Sequence, residues 1–233
     1  MKFKVIATGG TIGSETSSGG ISTRAVSDKV IDLVIQERPH NKFSNTIAFE
    51  VSYPLNLLSE NIVPTDWLLL AREIDSAQTD FDAIIVTHGT DTMAFSMAAI
   101  SLLLPSLKVP VVFTGALSTF DRADSDAQAN LWDSITFAEH QLKERQPGVY
   151  LVFRGQDKDQ SGFAYWGPYV QSINHGGLYF DTINNTRMAT ITHGEVHKYK
   201  FQQHEQLTHR NHADYRRVTF DERVEVHKMF PGY

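Results

Sequence analysis

Two short stretches place threonine hydroxyls directly after apolar runs. They are Val5-Ile6-Ala7-Thr8-Gly9-Gly10-Thr11-Ile12-Gly13 and Ile84-Ile85-Val86-Thr87-His88-Gly89-Thr90-Asp91-Thr92-Met93. A hydroxyl is a weak nucleophile at neutral pH and needs a base or a polarising group beside it. Thr11 is the first candidate. Thr90 and Asp91 are the second, because an adjacent hydroxyl and carboxylate can hold an ammonium group and relay a proton. Plainer roles stand beside these. Thr8, Thr11 and the glycines can cap a helix and fit a tight turn, Asp91 can be an N-cap, and His88 can be a satisfied turn histidine. Two hydroxyl-bearing turns in one domain, both at strand ends, favour a single small polar ligand between them. A dinucleotide fingerprint fails, since G-x-G-x-x-G would need glycine where Thr8 stands.

The elements that must carry these turns follow from hydrophobic patterning. Residues 3–7 are a strand, and the polar, glycine-rich stretch 14–23 has no periodicity and is expected to be mobile. Val26, Val30, Leu33 and Val34 recur at helical spacing until Arg38-Pro39, and 46–52 alternates as a strand. Pro64 opens a helix with Trp67, Leu70, Ala71 and Ile74 as its buried stripe. The run at 83–87 has the character of a strand covered on both faces. The helix expected over 91–104 is apolar nearly all round and should be deeply buried. Strands at 109–114 and 149–153 flank a helix over 123–142. Four alternations of strand and helix predict an α/β fold: a mainly parallel, doubly wound sheet with helices on both faces. Residues 155–200, rich in Gly, Asn, Thr and aromatics, add antiparallel hairpins at its C-terminal edge.

The chain has 233 residues, 41% hydrophobic and 21% charged, with a formal net charge of −6. That balance and the absence of a basic run argue against nucleic acid as a partner. No apolar run approaches the ~18 residues of a membrane span. With no cysteine, disulfides, thiol catalysis and cysteine–zinc sites are excluded. An apolar strand beginning at Phe3 leaves no room for a removable signal, so a cytoplasmic location is expected.

The motifs resemble the bacterial-type L-asparaginase family. Ala7-Thr8-Gly9-Gly10-Thr11-Ile12 is similar to its first signature, whose second threonine is the nucleophile, a role that falls on Thr11. The run from Thr87 to Met93 is similar to the second signature, whose Thr-Asp pair falls on Thr90 and Asp91. Ser59-Glu60-Asn61-Ile62-Val63-Pro64-Thr65-Asp66-Trp67 resembles the family's substrate-carboxylate loop, placing Ser59 and Glu60 against ligand. Residues 110–115, with Ser125-Asp126-Ala127 and Asn130-Leu131, resemble its next strand and helix. The resemblance implies hydrolysis of the side-chain amide of L-asparagine to L-aspartate and ammonia through a β-aspartyl ester. Turn backbone at Gly10, Gly89 and Ala116 would contact substrate and stabilise the oxyanion. No cofactor and no metal are implied. The partner is a small amino acid, and the protein is a homo-oligomer or is completed by another chain.

The sequence also departs from the family's pattern. Residues 14–30 contain no tyrosine, where the family carries an activating one. The family's lysine beside the Thr-Asp pair has only Lys158 as its nearest candidate, and Glu60 replaces a more usual neutral residue. Residues 1–200 correspond to the family's N-terminal α/β domain, 201–216 to a linker, and 217–233, with a strand at 224–229, to the first strand of a second domain. A catalytically impaired module that binds a small amino acid or serves as a partner subunit is therefore the alternative. His193 and His197 lie four apart, and His204, His209 and His212 follow. That stretch has strand and coil character and no carboxylate set, so a solvated polar segment is expected there and not a metal site.

Overall fold

Continuous apolar runs become strands when both of their faces can be covered, and this chain covers them. The computed structural model describes residues 1–13, 15–17, 20–22, 47–155, 161–175, 178–183, 187–199, 214–221 and 223–224. Strand β1 (Lys2–Ala7) leads to a small hairpin of β2 (Glu15–Ser17) and β3 (Gly20–Ser22). Next come β4 (Ala48–Ser52), α1 (Pro64–Ala77), β5 (Ala83–Thr87), α2 (Met93–Leu103), β6 (Pro110–Thr114), α3 (Ala127–Lys143) and β7 (Gly148–Arg154). The parallel strands stand in the order β4-β1-β5-β6-β7. Antiparallel β8 (Gly162–Trp166), β11 (Arg187–Thr192) and β12 (Glu195–Lys198) extend that sheet beyond β7. A ribbon of β9 (Val170–His175) and β10 (Leu178–Thr182) pairs separately. The α/β class, the parallel core and the edge hairpins are those expected.

Strand residues alternate between two cores, as a period of two requires. Ile6, Ile84, Val86, Val111 and Phe113 pack with α1 and α2 on one face. Val5, Ile85, Val112, Tyr150 and Val152 pack with α3 on the other. Every residue of β5 and β6 is buried, and each such large side chain contributes about 2 kcal/mol of transfer free energy. The connections β5–α2–β6 and β6–α3–β7 step the same way across the sheet yet run over opposite faces. They are therefore of opposite hand, against the strong preference for right-handed crossovers. No helix among the described residues is long and apolar enough to cross a membrane.

Four expectations change. Backbone pairing of Glu15 with Ser22 and Thr16 with Ile21 makes a hairpin, which the lack of periodicity did not predict, within the stretch expected to be mobile. Helix α2 starts at Met93, two residues late, and is not buried all round: Phe95 and Leu102 are 65% and 61% exposed. A uniformly apolar helix carries no signal of which side is left uncovered. The helix expected from 123 begins at Ala127, because residues 117–126 form a turn held by Asp126. Residues 201–213 of the expected linker lie outside the described residues, but its end is anchored. Tyr215 is buried and donates to Asp75 Oδ2 at 2.9 Å, and Phe220 packs on Trp67 at the other end of α1. The helix expected over 26–38 and residues 225–229 of the last strand lie outside the described residues. Val224 is exposed in no element.

Candidate functional site

In a parallel sheet of this order the chain builds outward from β1 in both directions, and a crevice opens between the carboxyl ends of β1 and β5. Both threonine turns emerge there. Thr8 fastens the two strands, its N–H and its hydroxyl both donating to Thr87 O at 3.1 and 3.0 Å. The glycines then let three turns meet backbone to backbone. Gly10, at φ 74°, would bring a Cβ within 2.5 Å of Gly89 N, and a Cβ on Gly89 would come within 2.5 Å of Ser59 Oγ. Leu57 lies beside Gly9 and stitches the third turn to the first, donating to Thr8 O at 3.1 Å and accepting from Gly10 N at 2.9 Å.

Thr11 opens a 3-10 turn, Thr11–Gly13, and is half-buried, as is Thr90. Ser59 is buried, while Glu60 and Asp91 expose their carboxylates. Ser59 Oγ lies 3.4 Å from Asp91 Oδ2, a long contact, whereas Thr92 Oγ1 donates to Ser59 O at 2.8 Å. Asp91 is thus not the helix cap; Thr92 occupies that position. The end of β6 closes the far side. A Cβ on Gly115 would meet His88 O at 2.4 Å, and Ala116 packs with Ile12 and Ala127. Gly10, Thr11, Ser59, Glu60, Gly89, Thr90, Asp91 and Ala116 thus belong to turns in mutual contact at one sheet edge. The N–H of Gly10 is engaged by Leu57 O, so Gly10 serves this edge through its missing side chain. Lys158 lies outside the described residues.

Below this edge sits a polar network that composition gave no reason to single out. Asn130, fully buried, donates to Gly115 O and to Asp126 Oδ2, both at 2.9 Å, and accepts from Arg154 N at 2.8 Å. Asp126 accepts from the N–H groups of Leu117 and Ser118. Arg154 Nε donates to the buried Asp133 at 2.7 Å. Asp126 and Asn130, both within the segments that resemble the family's next helix, stand four apart, and a polar side chain on a buried helix face has to find partners.

His88 is not the satisfied turn histidine that the sequence suggested. Its Nδ1 lies 2.7 Å from Gly89 O, which can only accept, so the proton sits on Nδ1. Nε2 has no partner among the described residues. Burial pushes the imidazole down to about 4, outweighing the hydrogen bond to Gly89 O. The unfolded chain, with a histidine near 6.5, then takes up the proton first as pH falls. Stability present above pH 6.5 is expected to be lost progressively down to pH 4, by about 3 kcal/mol in all. Urea midpoints of the parent and of His88→Gln across that window measure it. A parent no more acid-sensitive than the variant contradicts the assignment.

Among the described residues no group of three or more His, Asp or Glu is arranged to hold a metal. His193, at φ 53°, sits in the β11–β12 turn and His197 on exposed β12, so the two do not share a helix face. His204, His209 and His212 lie outside the described residues.

A family model described as "Asparaginase, N-terminal" matches residues 2–204. An L-asparaginase of Thermococcus kodakarensis is 32% identical over 197 residues, covering 84% of this chain and 55% of that protein. A glutamyl-tRNA(Gln) amidotransferase subunit of Archaeoglobus fulgidus is 32% identical over 237 residues, covering 98% and 52%. The solved structure of the thermostable L-asparaginase from Thermococcus kodakarensis superposes with a TM-score of 0.69 at 31% identity, covering 85% of this chain and 56% of that one. The chain spans about half the length of the relatives it matches.

Proposed function

Because the chain belongs to the asparaginase family, we propose that it hydrolyses the side-chain amide of L-asparagine to L-aspartate and ammonia, with Thr11 as nucleophile. Thr11 Oγ attacks the amide carbon, the nitrogen leaves as ammonia, and water cleaves the β-aspartyl ester to restore the hydroxyl. Thr90 and Asp91 act as relay and clamp, with Ser59 and Glu60 on the ligand's amino-acid end; Lys158, outside the described residues, is the candidate for the family's lysine. Backbone N–H groups of the turns at Gly89 and Ala116 face the developing oxyanion. The observation that carries this reading is the meeting of two threonine-bearing turns through Gly10 and Gly89 at the switch point of the sheet. The exposed carboxylates of Glu60 and Asp91, on turns that touch, suit a ligand bearing an ammonium group.

A second reading is favoured by the relatives named as glutamyl-tRNA(Gln) amidotransferase subunits, which match the chain over nearly its full length. In it the chain releases or receives an amide nitrogen while working with another chain. Either reading takes residues 1–200 as one unit, with 201–216 leading toward a second that begins within 217–233. The docking of Tyr215 and Phe220 on α1 would anchor that connection.

Ammonia release from L-asparagine and from L-glutamine, with Thr11→Ala beside the parent, tests the proposal. Asparagine turnover that the substitution abolishes supports it. A preference for glutamine moves the weight to the second reading. Saturable binding without turnover leaves a ligand-binding module.

A further inference from the structure

Thr92 stands at the N-cap of α2, with φ −118° and ψ 9°, yet its side chain makes no capping hydrogen bond. A threonine there ordinarily accepts from the N–H groups of the helix's first turn. Here the hydroxyl turns away and donates instead to the backbone carbonyl of Ser59, at 2.8 Å. The bond joins loops 33 residues apart. Its neighbour Asp91 reaches Ser59 Oγ only at 3.4 Å, so Asp91 does little to hold the Ser59 turn. On its other side that turn is already fastened, through Leu57, to Thr8 and Gly10 of the β1 turn. The turn carrying Ser59 and Glu60 is thus held from two directions, and among the described residues the short bond of the second hold comes from the Thr92 hydroxyl.

We propose that Thr92 is a positioning residue: its hydroxyl latches the Ser59–Glu60 turn to the Thr90–Asp91 turn and fixes the spacing between the two halves of the ligand site. The ligand half of this statement rests on the asparagine reading above; the latch does not. The rival role is an ordinary helix cap, and the two separate cleanly by substitution. Thr92→Ser keeps a donor. Thr92→Asp is a better cap but, ionised, has no proton to give a carbonyl. Thr92→Val keeps the shape and removes the hydroxyl.

Amide hydrogen exchange over residues 57–63, read with the KM and kcat for L-asparagine, tests the proposal. Thr92→Val and Thr92→Asp are expected to speed exchange in that segment about tenfold, the scale of one lost hydrogen bond. The same variants should raise KM by about tenfold with kcat changed far less, and Thr92→Ser should restore both. Rescue by Asp, or exchange unchanged in Val, overturns the latch in favour of the cap. If the parent releases no ammonia from asparagine, the proposed reaction fails by itself, and the exchange data still decide the latch.

Discussion

Thr11→Ala and Thr90→Ala are each expected to lower ammonia release from L-asparagine by about a thousandfold or more, with the fold intact. On the proposed reaction, loss of Thr11 as nucleophile leaves only binding and oxyanion stabilisation, and loss of Thr90 as relay leaves a hydroxyl too weak to attack. Neither substitution should unfold the protein. Both side chains are half-buried at the sheet edge, and neither belongs to the two hydrophobic cores. Groups that act as a unit are non-additive, so the double variant should be barely slower than either single one. Thermal midpoints and far-ultraviolet circular dichroism measured beside the ammonia assay separate lost chemistry from lost structure. Thr11→Ala retaining more than about a tenth of the parent rate contradicts its assignment as nucleophile.

Gly10→Ala should damage the structure severely for so small a substitution. At φ 74° a side chain is strained by about 1–3 kcal/mol. Its Cβ would also lie 2.5 Å from Gly89 N and 2.6 Å from Gly89 Cα, which are backbone atoms that cannot rotate away. The β1 and β5 turns must then separate. A total loss of about 3 kcal/mol is expected, or roughly 6–12 °C in thermal midpoint for a chain of this size. Gly194→Ala is the control. It has a similar φ of 80°, but it sits in the β11–β12 turn, four strands along the sheet from β5. Equal losses for the two would mean that the contact between the turns carries no strain.

Legibility of the sequence divided along a physical line. Strands such as β5 and β6 were visible because burial on both faces writes an unbroken apolar run into the chain itself. The two turns were visible because a left-handed φ at Gly9 and Gly10, and the close approach of Ser59 to Gly89, demand glycine next to the candidate threonines. Facts that depend on a distant partner left little trace. Nothing local to Thr92 distinguishes a cap from a donor to Ser59. Nothing around Tyr215, set in a polar stretch, announces Asp75. The exposure of Phe95 and Leu102 was hidden for the opposite reason, since an apolar residue looks the same whether or not something covers it. A turn offers carbonyls to a histidine such as His88, which finds one, but only for one of its two nitrogens.

The reversal of hand between the connections on either side of β6 has a consequence for the shape of this edge. A sheet in this strand order with uniform crossovers parts its loops once, between β1 and β5. Here the loop after β5 leaves toward α2, while the loops on both of its flanks lean the other way: Ile12 of the β1 turn and Ala116 beyond β6 meet Ala127 of α3. The turn that carries Thr90 and Asp91 thus passes to one face of the sheet while the two turns that flank it pass to the other, and the three stay joined where Gly10 meets Gly89 and Gly115 meets His88 O. A shift of α2 against α3 would therefore be felt first at those glycine contacts, where there is no side chain to take it up.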